Sequence, residues 1–561
     1  MRATPRQRHF VAIILFAALS AGTGALAWTE THLSTSQIHL ATAAAKRAQP
    51  ERLYAHDPIF GPSRLWRLTS PAVHGLMELV LVPTDYRDLT LPYRTVAGAM
   101  VFLFLCGMYA LIYRQTRSWS IAAVVAVMSS VVTETLGRAQ WGIGPLASIT
   151  PYGVVITATP WIVLSYLHYR RQWRVVLVFL AVGLLGNIHL DVALNLALIL
   201  TLVYLAERRL APSAWPMGLA CLATSALGAL PYAGYYLAMV QHLTTGPSTD
   251  PAVVARAFEM GQLAVLYPNV LDSLLDWLIV IALPLVASVA VLLRFERFRV
   301  RDAGVWLSFL LAGSAVSLGL HGISQLVGIL TRTAPPVIDF IQASALLMLP
   351  LYVLFAQALT HLFRLVGRHR IWLQLALAGL VIGWVLPSDN LQPVRHWAYD
   401  ALTAHMEPGE KPRRVQAIEL SNQRHAERVA IAEWARRNSD RAAVFCIDDI
   451  EFRMRSRRSI ITARQDVRYI FYLAPQKLDE WMAIQGQQQT LLHPKAPLQD
   501  LEEFRAWFSR LAEPSGSVFR DVPAWYVVLP ANIAPQHTGA ASRIAPEGWG
   551  KQYRLYRLVA E

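Results

Sequence analysis

Apolar runs of membrane-spanning length recur along the first two-thirds of the chain, separated by short arginine-rich segments. A spanning helix needs about 20 largely apolar residues. Eleven stretches come near that length: roughly 9–28, 94–113, 119–135, 151–168, 174–188, 190–206, 215–240, 273–293, 303–322, 338–360 and 371–387. The fifth and sixth meet at Gly186-Asn187-Ile188-His189, which predicts a tight helical hairpin. Beyond about residue 388 the pattern changes. Helical periodicity runs from Glu419 to Arg437, with Ile431 and Trp434 on one face. Short apolar runs at 442–447, 459–462 and 524–529, and an alternating one at 553–559, read as strands. Asp500 is placed to cap a helix from Leu501 to Leu511. The predicted class is an α-helical polytopic membrane protein, residues 1–388, followed by a soluble α/β domain, residues 389–561.

The arginines set a direction. Six basic segments (2–8, 114–117, 170–174, 208–209, 294–301 and 364–370) all fall on one side if the N-terminus is cytoplasmic. The alternate loops near 136–150, 241–272 and 322–337 carry one arginine each. This places the long first loop, 29–93, and everything after about 388 outside the cytoplasm. The first loop is too long for a connector. It holds a helical run from Gln37 to Ala48 and an apolar segment, Pro71 to Pro83, too short to span and suited to the interface. The first span has the basic flank and Ala25-Leu26-Ala27 site of a signal peptide, but its length favours a retained anchor.

Composition narrows the classes. Hydrophobic residues make up 54% of the 561 and charged residues 16%, well below the quarter of a soluble domain. The net charge of +14 lies in loop clusters, so nucleic acid is not an expected partner. Three cysteines exclude a disulfide framework.

Ionisable residues beside or within spans raise a functional hypothesis, and here they gather at the expected outer side. Asp57 stands with His56 in Leu53-Tyr54-Ala55-His56-Asp57-Pro58-Ile59-Phe60. Its carboxylate is placed either to take a proton from an acceptor hydroxyl or to ligate a metal beside His56; the plainer reading is a turn before proline. Glu134 and Arg138 stand i, i+4 and suit either a helix ion pair or, for Arg138, a phosphate grip. His189 and Asp191 open the sixth span, and Arg332 and Asp339 flank the start of the tenth. In the tail, Arg453, Arg455, Arg457 and Arg458 read as a solvated face.

This order of parts resembles the GT-C superfamily of polytopic glycosyltransferases. His56-Asp57-Pro58-Ile59-Phe60 looks like their acidic first-loop motif, and Gly183 to Leu200, with His189, looks like a span pair in which they often carry a histidine. Ala432-Glu433-Trp434-Ala435-Arg436 and Arg457-Arg458-Ser459-Ile460 look closer to a group of bacterial polytopic membrane proteins with a C-terminal periplasmic domain. The resemblance implies a bacterial inner-membrane enzyme that transfers sugar from a polyprenyl-phosphate donor to a periplasmic acceptor, with inversion. Asp57 would be the general base, and His56, Glu134, Arg138, His189, Asp191, Arg332 and Asp339 would bind substrate or phosphate. The chain departs from the pattern in having one acid, Asp57, where many such enzymes have two, so a divalent metal is left open. Two other readings stand beside it: a non-catalytic membrane scaffold that keeps the fold, and a transporter of a lipid-linked substrate.

Overall fold

The structure is a computed structural model and describes residues 4–29, 32–61, 67, 69–136, 139–243, 252–253, 301–331, 339–365, 370–386, 388–407, 409–467, 469–470, 477–493, 501–515, 517–531, 541–544 and 551–558. Among these, six helices are long and apolar enough to cross a membrane: Arg6–Thr29, Leu91–Thr116, Leu190–Glu207, Pro212–Met239, Ala303–Val327 and Phe340–Leu365. The chain is a multi-pass membrane protein. Four of the other expected spans are helical but shorter or less apolar, at Trp119–Ser130, Pro151–Tyr169, Val175–Gly186 and Arg370–Val385. The expected span at 273–293 lies outside the described residues. The third expected span ends early, at Ser130. Thr133–Glu134 (β1) and Gln140–Trp141 (β2) then pair as a two-residue antiparallel ribbon.

Helices that cross a membrane cannot rely on the hydrophobic effect to hold one another, so close backbone approach matters. The first helix, Pro5–Thr29 (α1), crosses Leu91–Thr116 (α4) at such a point. A Cβ added at Gly98 would meet the Ser20 carbonyl oxygen at 2.8 Å. The helices Val175–Gly186 (α7) and Leu190–Glu207 (α8) form the expected hairpin. Asn187 holds its turn, donating to the Gly228 carbonyl at 2.8 Å and accepting from the Tyr232 N–H at 3.0 Å.

Residues of four basic segments, Arg114, Arg170, Arg208 and Arg301, meet at one end of the bundle. Arg170 reaches Glu207 at 2.7 Å and Asp302 at 2.6 Å. Gln115 donates to Asp302, and Arg301 donates to the Arg114 carbonyl. The first loop and the chain beyond 388 sit at the other end. There Gln37 donates to the Pro145 carbonyl, Ser70 to the Asn187 carbonyl, and Asn390 to the Ile143 carbonyl.

In the tail, five strands form one mixed sheet in the order β4-β3-β5-β7-β6. Val444–Cys446 (β3) runs parallel to Ser459–Ile460 (β4) and to Trp525–Pro530 (β5). Tyr553–Leu558 (β7) is antiparallel to β5 and to Ala541–Ile544 (β6). Strand alternation sorts the two faces. Phe445, Tyr526 and Leu555 pack with Ile431 and Ala435 of the helix Arg413–Asn438, in the core shared with the bundle. Val444, Val527 and Tyr556 face a second core with Phe504 and Phe508 of the helix Leu501–Ala512.

The first loop lies between bundle and sheet. Thr35–Ala48 (α2) begins with a capping box between Ser34 and Gln37 and is buried along most of its length. Pro71–Leu81 (α3) is amphipathic, burying Val73, Met77 and Leu81 and exposing Leu76 and Leu79.

Candidate functional site

Asp57 sits in a compact turn of the first loop. Its Oδ1 accepts from the N–H groups of Ile59 and Phe60, both at 3.0 Å. The turn closes at Gly61, whose N–H donates to the Asp57 carbonyl at 2.8 Å; a Cβ there would meet that oxygen at 2.4 Å. The other carboxylate oxygen, Oδ2, accepts from Arg453 Nε at 2.7 Å and from the Ile460 N–H at 3.4 Å. Arg453 comes from the short helix Ile450–Ser456 (α16), N-capped by Asp449. Its two remaining guanidinium nitrogens form a fork on Asp466 at 2.8 and 2.6 Å. Asp57 and Arg453 are wholly buried and Asp466 is 1% exposed.

This corrects the assignment of Asp57 as a general base. A base must reach its proton within hydrogen-bond distance. Here both oxygens are already engaged, and no surface of the side chain is open to a substrate. Burial pushes the Asp57 carboxyl above the ordinary carboxylate range, against the pull of Arg453. Burial also works against the Arg453 charge, but Asp466 and Asp57 outweigh it and hold the guanidinium more firmly charged than usual. The result is a buried Asp–Arg–Asp knot that pins the first loop to the C-terminal sheet. His56 supports it: its backbone N–H donates to Ser459 Oγ at 3.2 Å, and its ring Nδ1 lies 2.7 Å from the Val518 carbonyl.

The arginine run is corrected with it. Arg453 and Arg458 are buried. Arg457 donates to the Tyr86 carbonyl of the first loop, and Arg455 pairs with Glu451 at 2.6 Å. Four arginines in six positions look solvated in one dimension; the first loop docks on Arg453 and Arg457, while Ser439 and the Arg436 carbonyl engage Arg458.

The remaining sequence-derived residues divide. His189 is the N-cap of α8, where Nδ1 accepts from the Val192 N–H at 3.4 Å, and its ring stands edge-on to Tyr152. Asp191 follows in the first turn, half-buried. The Asp339 carbonyl accepts from Asn195 at 3.2 Å. His189, Asp191 and Asp339 are thus neighbours at the first-loop end, and Asp57 makes none of its hydrogen bonds with them. Glu134 is exposed on β1, not on the helix that the expected i, i+4 pair needs. Arg138 and Arg332 lie outside the described residues. Among the described residues, no group of three or more His, Cys, Asp or Glu side chains is placed to hold a metal ion.

A different group of residues lines an open cleft of about 810 Å³ at the same end. It lies between the top of α1, the start of α4, the helix Gln392–Thr403 (α14) and the helix Arg413–Asn438 (α15). Arg94, His32, His396, Asp400, His425 and Arg455 supply its polar wall. The rings of His32 and His425 lie with centroids 4.2 Å apart, tilted by 40° to each other. Arg94 also lines a second groove of about 480 Å³ that runs down α1 and α4 past Ser20, Gly24 and Gly98. The exposed rings of Trp28 and Trp397 flank this region, as aromatics do at a membrane interface. Sequence reading missed it because its residues come from five separate segments, each unremarkable alone.

No family model matches the chain, and no curated protein matches it. Among solved structures it is similar to the oligosaccharyltransferase of Archaeoglobus fulgidus. The apo form aligns with a TM-score of 0.46 at 12% identity, over 93% of this chain and 69% of that one. A complex with an inhibitory peptide and a dolichol-phosphate aligns with a TM-score of 0.44 at 12% identity, over 93% and 69%. The zinc and sulfate complex gives 0.43 at 13%, over 93% and 68%.

Proposed function

We propose that the protein is a membrane glycosyltransferase that takes a sugar from a polyprenyl-phosphate donor, at the membrane face carrying the first loop and the C-terminal sheet. The observation that carries this reading is the position of Arg94, which lines both the polar cleft and the groove between α1 and α4. A lipid phosphate needs such a junction: an apolar track for its chain and a cation at its head. A guanidinium suits the phosphate group, and His32, His396 and Arg455 line the same cleft. In the transfer step, the acceptor oxygen attacks the anomeric carbon, the bond to the phosphate breaks, and the lipid phosphate leaves with its charge stabilised by Arg94. Asp400, exposed and lining the cleft, is the carboxylate in reach of the acceptor proton. We also place that membrane face outside the cytoplasm, in the bacterial inner membrane, on the direction given by the arginine loops.

The test is thermal stabilisation of the detergent-solubilised protein by undecaprenyl phosphate, since a ligand of the native state raises apparent stability by mass action. Stabilisation of the wild type that Arg94→Ala removes supports a donor site and justifies transfer assays. No stabilisation of folded wild type overturns the reading. The engagement of Asp57 in a structural knot favours one alternative, a non-catalytic scaffold, which predicts that second outcome.

A further inference from the structure

The C-terminal region carries a second cleft, of about 800 Å³. One wall is the helix Leu478–Leu492 (α17), another is formed by residues 514–515 and 517–521, and His56 and Pro58 of the first loop close its base. Trp481, Gln485 and Gln488 stand at i, i+4 and i+7 on α17 and are all buried. Thr462 faces them, its carbonyl accepting from Gln488 Nε2 at 2.9 Å. In this patch Trp481 Nε1, Thr462 Oγ1, Gln488 Oε1 and both amide atoms of Gln485 are buried without a hydrogen-bond partner among the described residues. Buried polar atoms are rarely left unpaired in a native fold, so a group of five needs an explanation. Trp481 and Thr462 themselves line the cleft.

We propose that this cleft binds a saccharide. Hydroxyl groups both donate and accept, which suits a wall holding an indole donor and a threonine hydroxyl, with the two glutamine amides buried behind them. The apolar wall of Ile484, Val518 and Phe519 suits the carbon face of a sugar ring. Lys477, Arg510 and Arg520 face Glu480 and Asp521, which leaves a single positive charge and no strong selection for an ionic ligand. The inference stands on the geometry of this cleft and does not use the transfer reading, so failure of lipid-phosphate binding leaves it intact.

The experiment is saturation-transfer NMR on the full-length protein in detergent, with maltotriose, cellotriose, chitotriose and mannotriose as probes. At least one trisaccharide is expected to show transfer, with affinity falling about fivefold or more in Trp481→Phe, the loss of one neutral hydrogen bond. If Trp481→Phe does not fold, Ser515→Trp at the exposed lip makes the same test by filling the mouth. No transfer to any of the four, or equal transfer to the variants, overturns the proposal and assigns the unpaired atoms to buried water.

Discussion

Arg453 Nε lies 2.7 Å from Asp57 Oδ2, joining two residues 396 positions apart in the chain. Both are wholly out of solvent, and Asp466 completes the charge arrangement. Removing one partner of a buried pair leaves an uncompensated charge, at a cost of about 3–5 kcal/mol. Arg453→Leu is expected to lower stability in detergent by that order and to loosen the first loop, seen as faster proteolysis of 29–93. Asp57→Asn keeps an acceptor at Oδ1 and is expected to cost about 1–3 kcal/mol. An Asp57→Asn protein as stable as wild type would contradict the structural role.

The crossing of α1 and α4 has no room at Gly98 and ample room at Gly22, where an added Cβ meets nothing within 4 Å. Gly98→Val is expected to push the helices apart, lower thermal stability and disturb the groove that Arg94 heads. Gly22→Ala is expected to leave both unchanged. Melting curves of the two variants, with and without undecaprenyl phosphate, check the pair.

His74 on α3 is buried, and its Nε2 is held by the Thr69 hydroxyl. Burial, with a smaller contribution from Arg47, lowers its pKa to about 4. The unfolded chain therefore takes up the proton first as pH falls. Stability should be flat above about pH 7 and decline through the window from about 6.5 to 4, by up to about 3 kcal/mol. Replacing His74 with Gln is expected to remove this part of the slope, measured by unfolding in detergent across that range.

The arginine loops predict which side each end of the bundle faces. Gln172, beside Arg170 and Arg171, and Gln423, on the long helix of the tail, are both exposed. Cys221 and Cys446 are buried and Cys106 is half-buried, so native thiols give little background. In intact spheroplasts, a membrane-impermeant maleimide is expected to label Gln423→Cys and to spare Gln172→Cys. The opposite pattern would invert the assigned direction.

Much of the architecture was legible along the chain. Apolar runs of spanning length report burial in lipid directly, because every residue of such a helix meets an apolar surroundings whatever its neighbours are. The strands at 444–446, 459–460, 525–530 and 553–558 fall within or against the apolar runs that suggested them. The hairpin at Gly186 to His189 was legible for the same local reason. The third span was misjudged at its end, since the ribbon of Thr133–Glu134 with Gln140–Trp141 depends on a pairing that helical periodicity does not register.

The residues themselves determined which segments are apolar, where most of the helices lie, and which loops carry the positive charge. These are local properties of composition and period. Only the tertiary structure decided what Asp57 and the arginines of 453–458 do. A carboxylate in a polar turn has the same sequence signature whether it faces a substrate or a guanidinium. Its role is set by what docks against it, and here that is a helix from the far end of the chain. The Arg94 cleft was hidden for the same reason: five segments each contribute a part, and their meeting is a property of packing in space.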